Sequence, residues 1–231
     1  MTTKTIAIIG AGPGLGLSIA RTFGVHDFQV ALLARDPEKL DRLAAELGNS
    51  GITAKGFPAD VTQPETVTAA LRKAEAEFGP IDVLEYSPTP AGPGATALGP
   101  VAAVDLTIDA VRPQLEYYLY GGITAVQAVL PGMRERGAGT ILVSTGASSG
   151  PMVHPPFGNI AAASGALRNW VLNLHAALEP EGIYAAHVAI AAWIGKGGPM
   201  SDPDAIAAAY WDLYQQRTEA ELFYLDETMT V

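Results

Sequence analysis

The sequence contains no cysteine and has few charged and aromatic residues for its length. The absence of cysteine from all 231 residues excludes disulfides, thiolate nucleophiles and zinc–sulfur sites. Charged residues make up 16% of the chain, whereas hydrophobic residues make up 48%. That much apolar material offsets the entropy lost in ordering a core, so the composition excludes disordered and fibrous classes and predicts a globular protein.

Positive charge is also scarce. Lys and Arg number 14 against 24 Asp and Glu, which gives a formal net charge of −10. Such a chain attracts neither a phosphate backbone nor an anionic membrane surface, so we expect no nucleic-acid partner. The histidines at positions 26, 154, 175 and 187 show no metal-ligand spacing, and we expect no metal site.

Long hydrophobic runs are missing as well. The first apolar run, Ile6–Ile9, is too short for the core of an export signal. The longest later stretch, Ile183–Ile194, is shorter than the roughly 20 residues that a membrane-spanning helix needs. The sequence therefore predicts no membrane association and a cytoplasmic protein.

Short β-rich segments alternate with longer helical patterns along the chain. The predicted strands are Thr5–Ile9, Phe28–Ala34, Thr53–Pro58, Ile81–Tyr86, Thr140–Thr145, Tyr184–Ala191 and Glu221–Leu225. The predicted helices are Leu15–Phe23, Pro37–Leu47, Pro64–Phe78, Ile108–Arg136, Gly158–Leu178 and Pro203–Arg217. The strands are apolar throughout, as in a parallel sheet that helices cover on both faces. The pattern predicts a single α/β domain over residues 1–231, a three-layer doubly wound parallel sheet.

A glycine-rich turn joins the first predicted strand to the first helix. Its residues are Gly10, Ala11, Gly12, Pro13, Gly14, Leu15 and Gly16. Glycines here let the backbone turn tightly and approach a pyrophosphate, which the N–H groups of the following helix face. Because the turn lies between a strand and a helix, it predicts dinucleotide binding by Gly10, Gly12, Gly14, Leu15 and Gly16.

The end of the second strand favours NADP over NAD. An acid at this strand tip binds the 2′-hydroxyl of the adenosine ribose, whereas an arginine pairs with a 2′-phosphate. Here Ala34 is followed by Arg35 and then by Asp36. We expect Arg35 to bind the 2′-phosphate, with Asp36 either at the ribose or capping the helix that begins at Pro37.

Two later strands contribute residues to the same edge of the sheet. Asp60 and Val61 follow the third strand, and the carboxylate of Asp60 suits either the adenine amino group or the cap of the next helix. The stretch from Ser87 to Pro100 is rich in Pro, Gly and Ala and resembles a linker by composition. Because it follows the fourth strand, we interpret it as a ligand-binding loop, with Ser87 in contact with the cofactor.

Nearly the whole chain resembles the short-chain dehydrogenase/reductase family. The motifs that carry the resemblance are Gly-x-x-x-Gly-x-Gly at 10, 14 and 16, and the segments 34–40, 59–62, 78–84, 128–133 and 139–142. The resemblance implies a Rossmann-type domain that binds NAD(P) at the carboxyl edge of the sheet. It also implies a homo-oligomer, a dimer or a tetramer.

The chain departs from the family where the family's catalytic residues lie. The Asn-Asn-Ala-Gly turn after the fourth strand is replaced by Glu85-Tyr86-Ser87-Pro88-Thr89-Pro90, and Tyr118 stands at the catalytic asparagine. The catalytic serine aligns with Gly146 or Ala147, with Ser148 close by. The Tyr-x-x-x-Lys pair aligns with Ile160 and Ser164. In the family that tyrosine exchanges the proton with the substrate, and isoleucine has no proton to exchange.

The first candidates for the missing proton donor are His154 and Tyr118, and Tyr117, Tyr86 and Ser148 come after them. His154 precedes the altered helix, and an unperturbed imidazole pKa of about 6.5 suits proton exchange near neutrality. Tyr118 and Ser148 carry hydroxyl groups near the vacated positions. A substrate that is already electrophilic, such as a protonated imine or an activated double bond, needs no strong acid.

Three functions remain open from the sequence. The first is an NADPH-dependent oxidoreductase with a non-standard proton donor and a small-molecule substrate. The second is a non-redox isomerase, cyclase or lyase on the same fold, which no residue selects. The third is a protein that senses NADP or a metabolite without turnover.

Overall fold

Seven apolar segments pair into a parallel sheet in the computed structural model, which describes residues 3–90 and 98–228. The strands are Lys4–Ile9 (β1), Phe28–Ala34 (β2), Ala54–Pro58 (β3), Ile81–Tyr86 (β4), Gly139–Gly146 (β5), Ile183–Ala191 (β6) and Glu221–Leu225 (β7). Their order is β3-β2-β1-β4-β5-β6-β7, and neighbouring strands are parallel. The order reverses between β1 and β4, and ligands of such sheets bind beyond the strand ends at this switch point.

Helices connect the strands, and several begin at a proline, which fits the first helical turn because its missing N–H needs no partner there. They are Leu15–Gly24 (α1), Pro37–Asn49 (α2), Pro64–Phe78 (α3), Ile108–Gln114 (α4), Gly121–Arg136 (α5), Gly158–Leu178 (α6) and Pro203–Gln216 (α7). The side chains of Asp36, Thr107 and Asp202 accept hydrogen bonds from the first turns of α2, α4 and α7. These caps satisfy N–H groups that the helices leave unpaired.

The core consists of two apolar layers, one on each face of the sheet. Residues of α1, α2 and α7 pack on one face, and residues of α3, α5 and α6 pack on the other. The predicted single-domain, three-layer doubly wound Rossmann-type fold is confirmed. Within the described residues, no helix has the length and apolar composition that crossing a membrane requires.

The helix predicted over Ile108–Arg136 begins and ends at those residues, but it is not α-helical throughout. A π-helical segment, Leu115–Tyr120, separates α4 from α5. The N–H of Gly121 bonds to the carbonyl of Glu116, five residues back, and the buried Tyr86 hydroxyl donates to the carbonyl of Tyr117 at 2.7 Å. A side chain that takes a helix carbonyl in this way widens the turn, and such segments are frequent at functional sites.

Candidate active site

A cavity of about 1160 Å³ opens at the carboxyl edge of the sheet. Its wall is formed by the glycine turn, the ends of β2, β4, β5 and β6, the π-helical segment and the start of α6. The loop predicted to bind ligand contributes residues 87–90 and 98–100, while its remainder, 91–97, lies outside the described residues. The cavity thus lies where the strand order predicts a ligand.

The glycine turn forms one end of this cavity, and Gly10, Gly12, Gly14, Leu15 and Gly16 all line it. The N–H groups of Gly10 and Ala11 both donate to the carbonyl of Leu33, at 3.0 and 3.1 Å. Gly10 has a φ of +105°, and a Cβ there would lie 2.7 Å from the backbone of Pro88. The turn therefore depends on glycine at position 10 for conformation and for space.

Two cationic side chains lie beside the glycine turn. Arg35, directly after β2, lines the cavity, and its contact with a 2′-phosphate stays a prediction. Lys39 lines it too, and its Nζ lies 3.5 Å from the position that a Cβ on Gly12 would take. The sequence analysis did not assign Lys39 to the cofactor site, because Arg35 lies before the helix and no helical spacing relates the two residues.

Asp36 lines the cavity and also caps α2, and its role at the ribose stays a prediction. The Asp36 carboxylate accepts a hydrogen bond from the N–H of Lys39 at 3.1 Å, as an N-cap does. Capping is therefore the role that its observed contact supports.

The capping role considered for Asp60 is wrong. The Asp60 carboxylate accepts from the N–H and hydroxyl of Thr62, at 3.0 and 2.8 Å, while Gln63 occupies the N-cap of α3. Asp60 is not among the residues that line the cavity, whereas Val61 and Ser87 are. Adenine binding by Asp60 stays a prediction.

The candidate donors occupy different places. Tyr118 and Ser148 line the cavity, and both are half-buried. His154 is not among the residues that line it, and its ring packs edge-on against Phe157, which does, with 4.5 Å between ring centroids. Burial raises the pKa of the Tyr118 phenol to about 12, so the phenol stays protonated near neutral pH.

The helix that resembles the family's catalytic helix presents an apolar side chain to the cavity. Ile160 of α6 lines the cavity. Ser164, one turn later, is buried, and its hydroxyl donates to the carbonyl of Ile160 at 2.7 Å. At these two positions the structure offers neither an acid nor a cation to a bound ligand.

A carboxyl group that the sequence analysis did not single out lies buried near the same edge. Glu85 of β4 is 0% exposed. Its Oε2 accepts from Ser87 at 3.0 Å, whereas its Oε1 has no hydrogen-bond partner. Burial raises the pKa of Glu85 to about 8, because no cation offsets the cost of a buried charge. The sequence could have indicated this buried carboxyl group, because Glu85 is an acidic residue within an otherwise apolar strand segment.

No group of three or more His, Asp or Glu side chains within residues 3–90 and 98–228 is arranged to hold a metal ion.

Comparison with known sequences identifies the family. The family model described as short chain dehydrogenase matches residues 4–193. The chain is 36% identical over 183 residues to 2-(S)-hydroxypropyl-CoM dehydrogenase 3 of Xanthobacter autotrophicus, a match that covers 79% of this chain and 69% of that protein. It is 34% identical over 192 residues to galactitol 2-dehydrogenase (L-tagatose-forming) of Cereibacter sphaeroides, covering 83% of this chain and 66% of that protein.

Solved structures share the fold over almost the whole chain. A short-chain dehydrogenase from Rhodopseudomonas palustris matches with a TM-score of 0.80 and 27% identity, covering 95% of this chain and 97% of that one. L-Sorbose reductase from Gluconobacter frateurii, solved with NADPH and L-sorbose, matches with a TM-score of 0.81 and 21% identity over 99% and 97% of the two chains. With its glycine turn, its parallel sheet and the matched sequence model, the chain belongs to the short-chain dehydrogenase family of nucleotide-binding oxidoreductases.

Proposed function

We propose that this protein is an NADPH-dependent oxidoreductase that acts on a small pre-activated acceptor, such as an imine or an activated double bond. The observation that carries the cofactor assignment is the pair of cations, Arg35 and Lys39, beside the glycine turn. When bound, the nicotinamide supplies or accepts a hydride. The protein binds and orients both reactants and supplies the groups that handle the proton.

The residues at the glycine turn suit a dinucleotide. Gly12 and Gly14 leave room for a pyrophosphate close to the backbone, and Gly14 adjoins the first turn of α1. Arg35 and Lys39 would bind the 2′-phosphate, because a guanidinium pairs with two phosphate oxygens and an ammonium adds a second charge. NAD is less favoured, because Arg35 comes directly after β2, where an acid would bind the 2′-hydroxyl of the NAD ribose.

Replacing Arg35 tests the cofactor assignment. We expect Arg35→Ala to weaken NADPH binding by about 10- to 100-fold, the value of one lost charge-assisted contact, and to leave NADH binding nearly unchanged. Calorimetry with both nucleotides measures this. Arg42→Ala, which removes an exposed arginine of α2 that is not part of the cavity wall, is the control. Equal effects on NADPH and NADH would contradict the role of Arg35.

The substrate assignment follows from the apolar side chain of Ile160 at the family's proton-donor position. An acceptor that is already electrophilic needs no strong acid there. The Tyr118 and Ser148 hydroxyls line the cavity and would hold the acceptor atom by hydrogen bonds. Turnover is measured through the absorbance of NADPH with cyclohexanone, cyclohexenone and pyrroline as the ketone, the enone and the imine.

Tyr118→Phe and His154→Phe separate two of the proposed donors. We expect Tyr118→Phe to lower kcat by about 10-fold or more with little change in NADPH affinity, because it removes one hydroxyl from the cavity wall and keeps the ring. His154→Phe should lower kcat only if His154 reaches the substrate past Phe157. Initial rates and NADPH titrations with both variants measure this, and an unchanged kcat in Tyr118→Phe would exclude Tyr118.

A nucleotide or metabolite sensor is the second candidate, and the same Ile160 favours it, because an apolar side chain at the donor position fits binding without turnover. A sensor binds NADPH and consumes none with any of the three acceptors. The isomerase or cyclase alternative has no residue that selects it.

The homo-oligomer that the family implies stays a prediction, and sedimentation velocity measures the oligomeric state.

A further inference from the structure

A row of hydrogen bonds leads from the cavity wall into the sheet. Thr145 of β5 lines the cavity and is 6% exposed. Its Oγ1 lies 2.9 Å from Nε2 of His187 on β6, and Nδ1 of His187 lies 2.9 Å from Oε1 of Glu221 on β7. Three adjacent strands thus align a hydroxyl, an imidazole and a carboxylate.

Arg168 of α6 fixes the carboxylate end of this row. Its Nε and Nη2 donate to the two oxygens of Glu221, at 2.5 and 2.6 Å. This two-point contact lowers the pKa of Glu221, with a smaller contribution from His187, and keeps the carboxylate ionised. An ionised Glu221 accepts a hydrogen bond, so the proton of the imidazole lies on Nδ1.

The state of the imidazole follows from its surroundings. The His187 side chain is 0% exposed, and burial lowers its pKa in spite of the neighbouring Glu221. A neutral imidazole with its proton on Nδ1 directs a lone pair on Nε2 towards Thr145. The Thr145 hydroxyl therefore donates either to His187 or to the carbonyl of Gly146, which is 3.2 Å away.

The carboxylate end of this row of hydrogen bonds is accessible to solvent. Whereas the His187 side chain is fully buried, the Glu221 side chain is 22% exposed. The charged and titratable groups that face His187 are Glu221 from β7 and Arg168 from α6, while β5 contributes the Thr145 hydroxyl. A proton that reaches His187 from the cavity side can therefore leave through Glu221 without crossing the cavity again.

We propose that Thr145, His187 and Glu221 form a proton relay between a substrate in the cavity and the outer edge of the sheet, and this rests on the proposed oxidoreductase function. Thr145 is the catalytic residue that touches the substrate, and His187 and Glu221 act through it. The relay replaces the proton exchange that Ile160 and Ser164 do not provide.

The proton and electron balance is that of an alcohol or amine and its oxidised form. In oxidation, the substrate O–H or N–H bond breaks and its proton binds Thr145 Oγ1, while the Thr145 proton binds His187 Nε2. The C–H hydrogen leaves as a hydride, for which the nicotinamide is the acceptor, and a C=O or C=N bond forms. Reduction reverses each transfer, and the proton comes from solvent at the partly exposed Glu221, from which it passes through His187 to Thr145.

The Tyr118 phenol is less suited to this exchange. Burial raises its pKa to about 12. It therefore gives a hydrogen bond to the substrate near neutral pH but does not take up the proton that the substrate loses. A neutral imidazole behind a hydroxyl does take it up, and this is the chemistry by which a histidine activates a hydroxyl in general.

Thr145→Val is the central test, because valine keeps the shape of threonine and removes the hydroxyl. We expect kcat with NADPH and cyclohexanone to fall by about 100-fold, and the same loss with NADP⁺ and cyclohexanol, because both reactions exchange a proton at the substrate oxygen. We expect Thr145→Ser to retain most of the rate and His187→Gln to match Thr145→Val. His175→Gln is the control, because His175 is the half-buried histidine of α6 whose Nδ1 contacts the carbonyl of Ala185 at 2.8 Å.

Two readouts distinguish a relay from a network that merely joins strands. The rate of cyclohexanol oxidation by the wild type should fall as His187 gains a proton, below the ordinary imidazole pKa of 6.5, and Thr145→Val should lack this limb of the pH profile. Nitrogen NMR of histidine-labelled protein without ligand should show a protonated Nδ1 and an unprotonated Nε2 on His187. A structural network predicts a lower Tm for Thr145→Val with unchanged kcat and pH profile.

Each outcome decides one of the proposals. If the wild type turns over a probe and Thr145→Val equals it in kcat and pH profile, the relay is overturned and the oxidoreductase stands. If no probe is turned over although NADPH binds, the oxidoreductase function fails, and the relay fails with it. A proton on Nε2 of His187 at neutral pH overturns the relay whatever the rates show.

Discussion

We expect the free energy of unfolding of the wild type to fall steeply as the pH rises from 4.5 to about 8, and we expect Glu85→Gln to abolish this fall. Burial holds the Glu85 carboxyl protonated up to about pH 8 in the folded protein, whereas the unfolded chain ionises near the ordinary pKa of 4.5. Between these values the unfolded state binds fewer protons than the folded state, so the free energy of unfolding falls as the pH rises. Glutamine is neutral at every pH.

The size of this loss of stability follows from the difference between the folded-state and unfolded-state pKa values of Glu85. At roughly 1.4 kcal/mol per pH unit, the wild type loses about 4 kcal/mol relative to Glu85→Gln over this range. Urea unfolding of both proteins in a series of buffers between pH 4.5 and 8 measures it.

Glu135→Gln, which neutralises an exposed carboxylate near the end of α5, controls for the loss of one negative charge. Parallel pH profiles for the wild type and Glu85→Gln would show that Glu85 is ionised in the folded protein. The description of Glu85 as a protonated, partly unpartnered group would then be wrong.

Gly10→Ala is expected to destabilise the protein by about 2–4 kcal/mol and to abolish tight NADPH binding. Two costs add at this position. The φ of +105° disfavours any residue with a Cβ, and that Cβ would lie 2.7 Å from the backbone of Ser87 and Pro88. Because the obstacle is backbone rather than a flexible side chain, the turn or the loop after β4 has to move.

Gly146→Ala is the matched control for this substitution. Gly146 also lines the cavity, but it has a φ of −68° and open space where a Cβ would be. Thermal unfolding and calorimetric titration with NADPH compare the two variants. Equal Tm values would show that the turn at Gly10 tolerates a side chain, which would contradict the close approach of Gly10 to the backbone of Pro88.

The sequence by itself determined the elements and the family. The strands over Phe28–Ala34, Ile81–Tyr86 and Glu221–Leu225 begin and end where the sequence predicts, because apolar β-rich runs bounded by turn residues are local signals. The glycine turn and Arg35 at its side also follow from local order along one βαβ unit. The same is true of Ile160, since its position is fixed by spacing along one helix.

The tertiary structure decided what distant residues do together. The sequence left Asp36 open between ribose and helix cap, and the contact with the N–H of Lys39 shows that the residue does cap α2. The π-helical segment Leu115–Tyr120 within the long helix has its Tyr117 carbonyl bonded to the Tyr86 hydroxyl, which comes from a strand about 30 residues earlier. Neither result follows from local propensity, because each depends on which atoms the fold brings within hydrogen-bond distance.

The row formed by Thr145, His187 and Glu221 is the clearest case. Their contacts span 42 and 34 residues of sequence, and they exist because β5, β6 and β7 are neighbours in a fixed parallel register. A strand that shifts by one residue turns its side chains to the other face of the sheet. Residue order therefore gave the types of group available to the protein, whereas strand order and register decided which of them can exchange a proton.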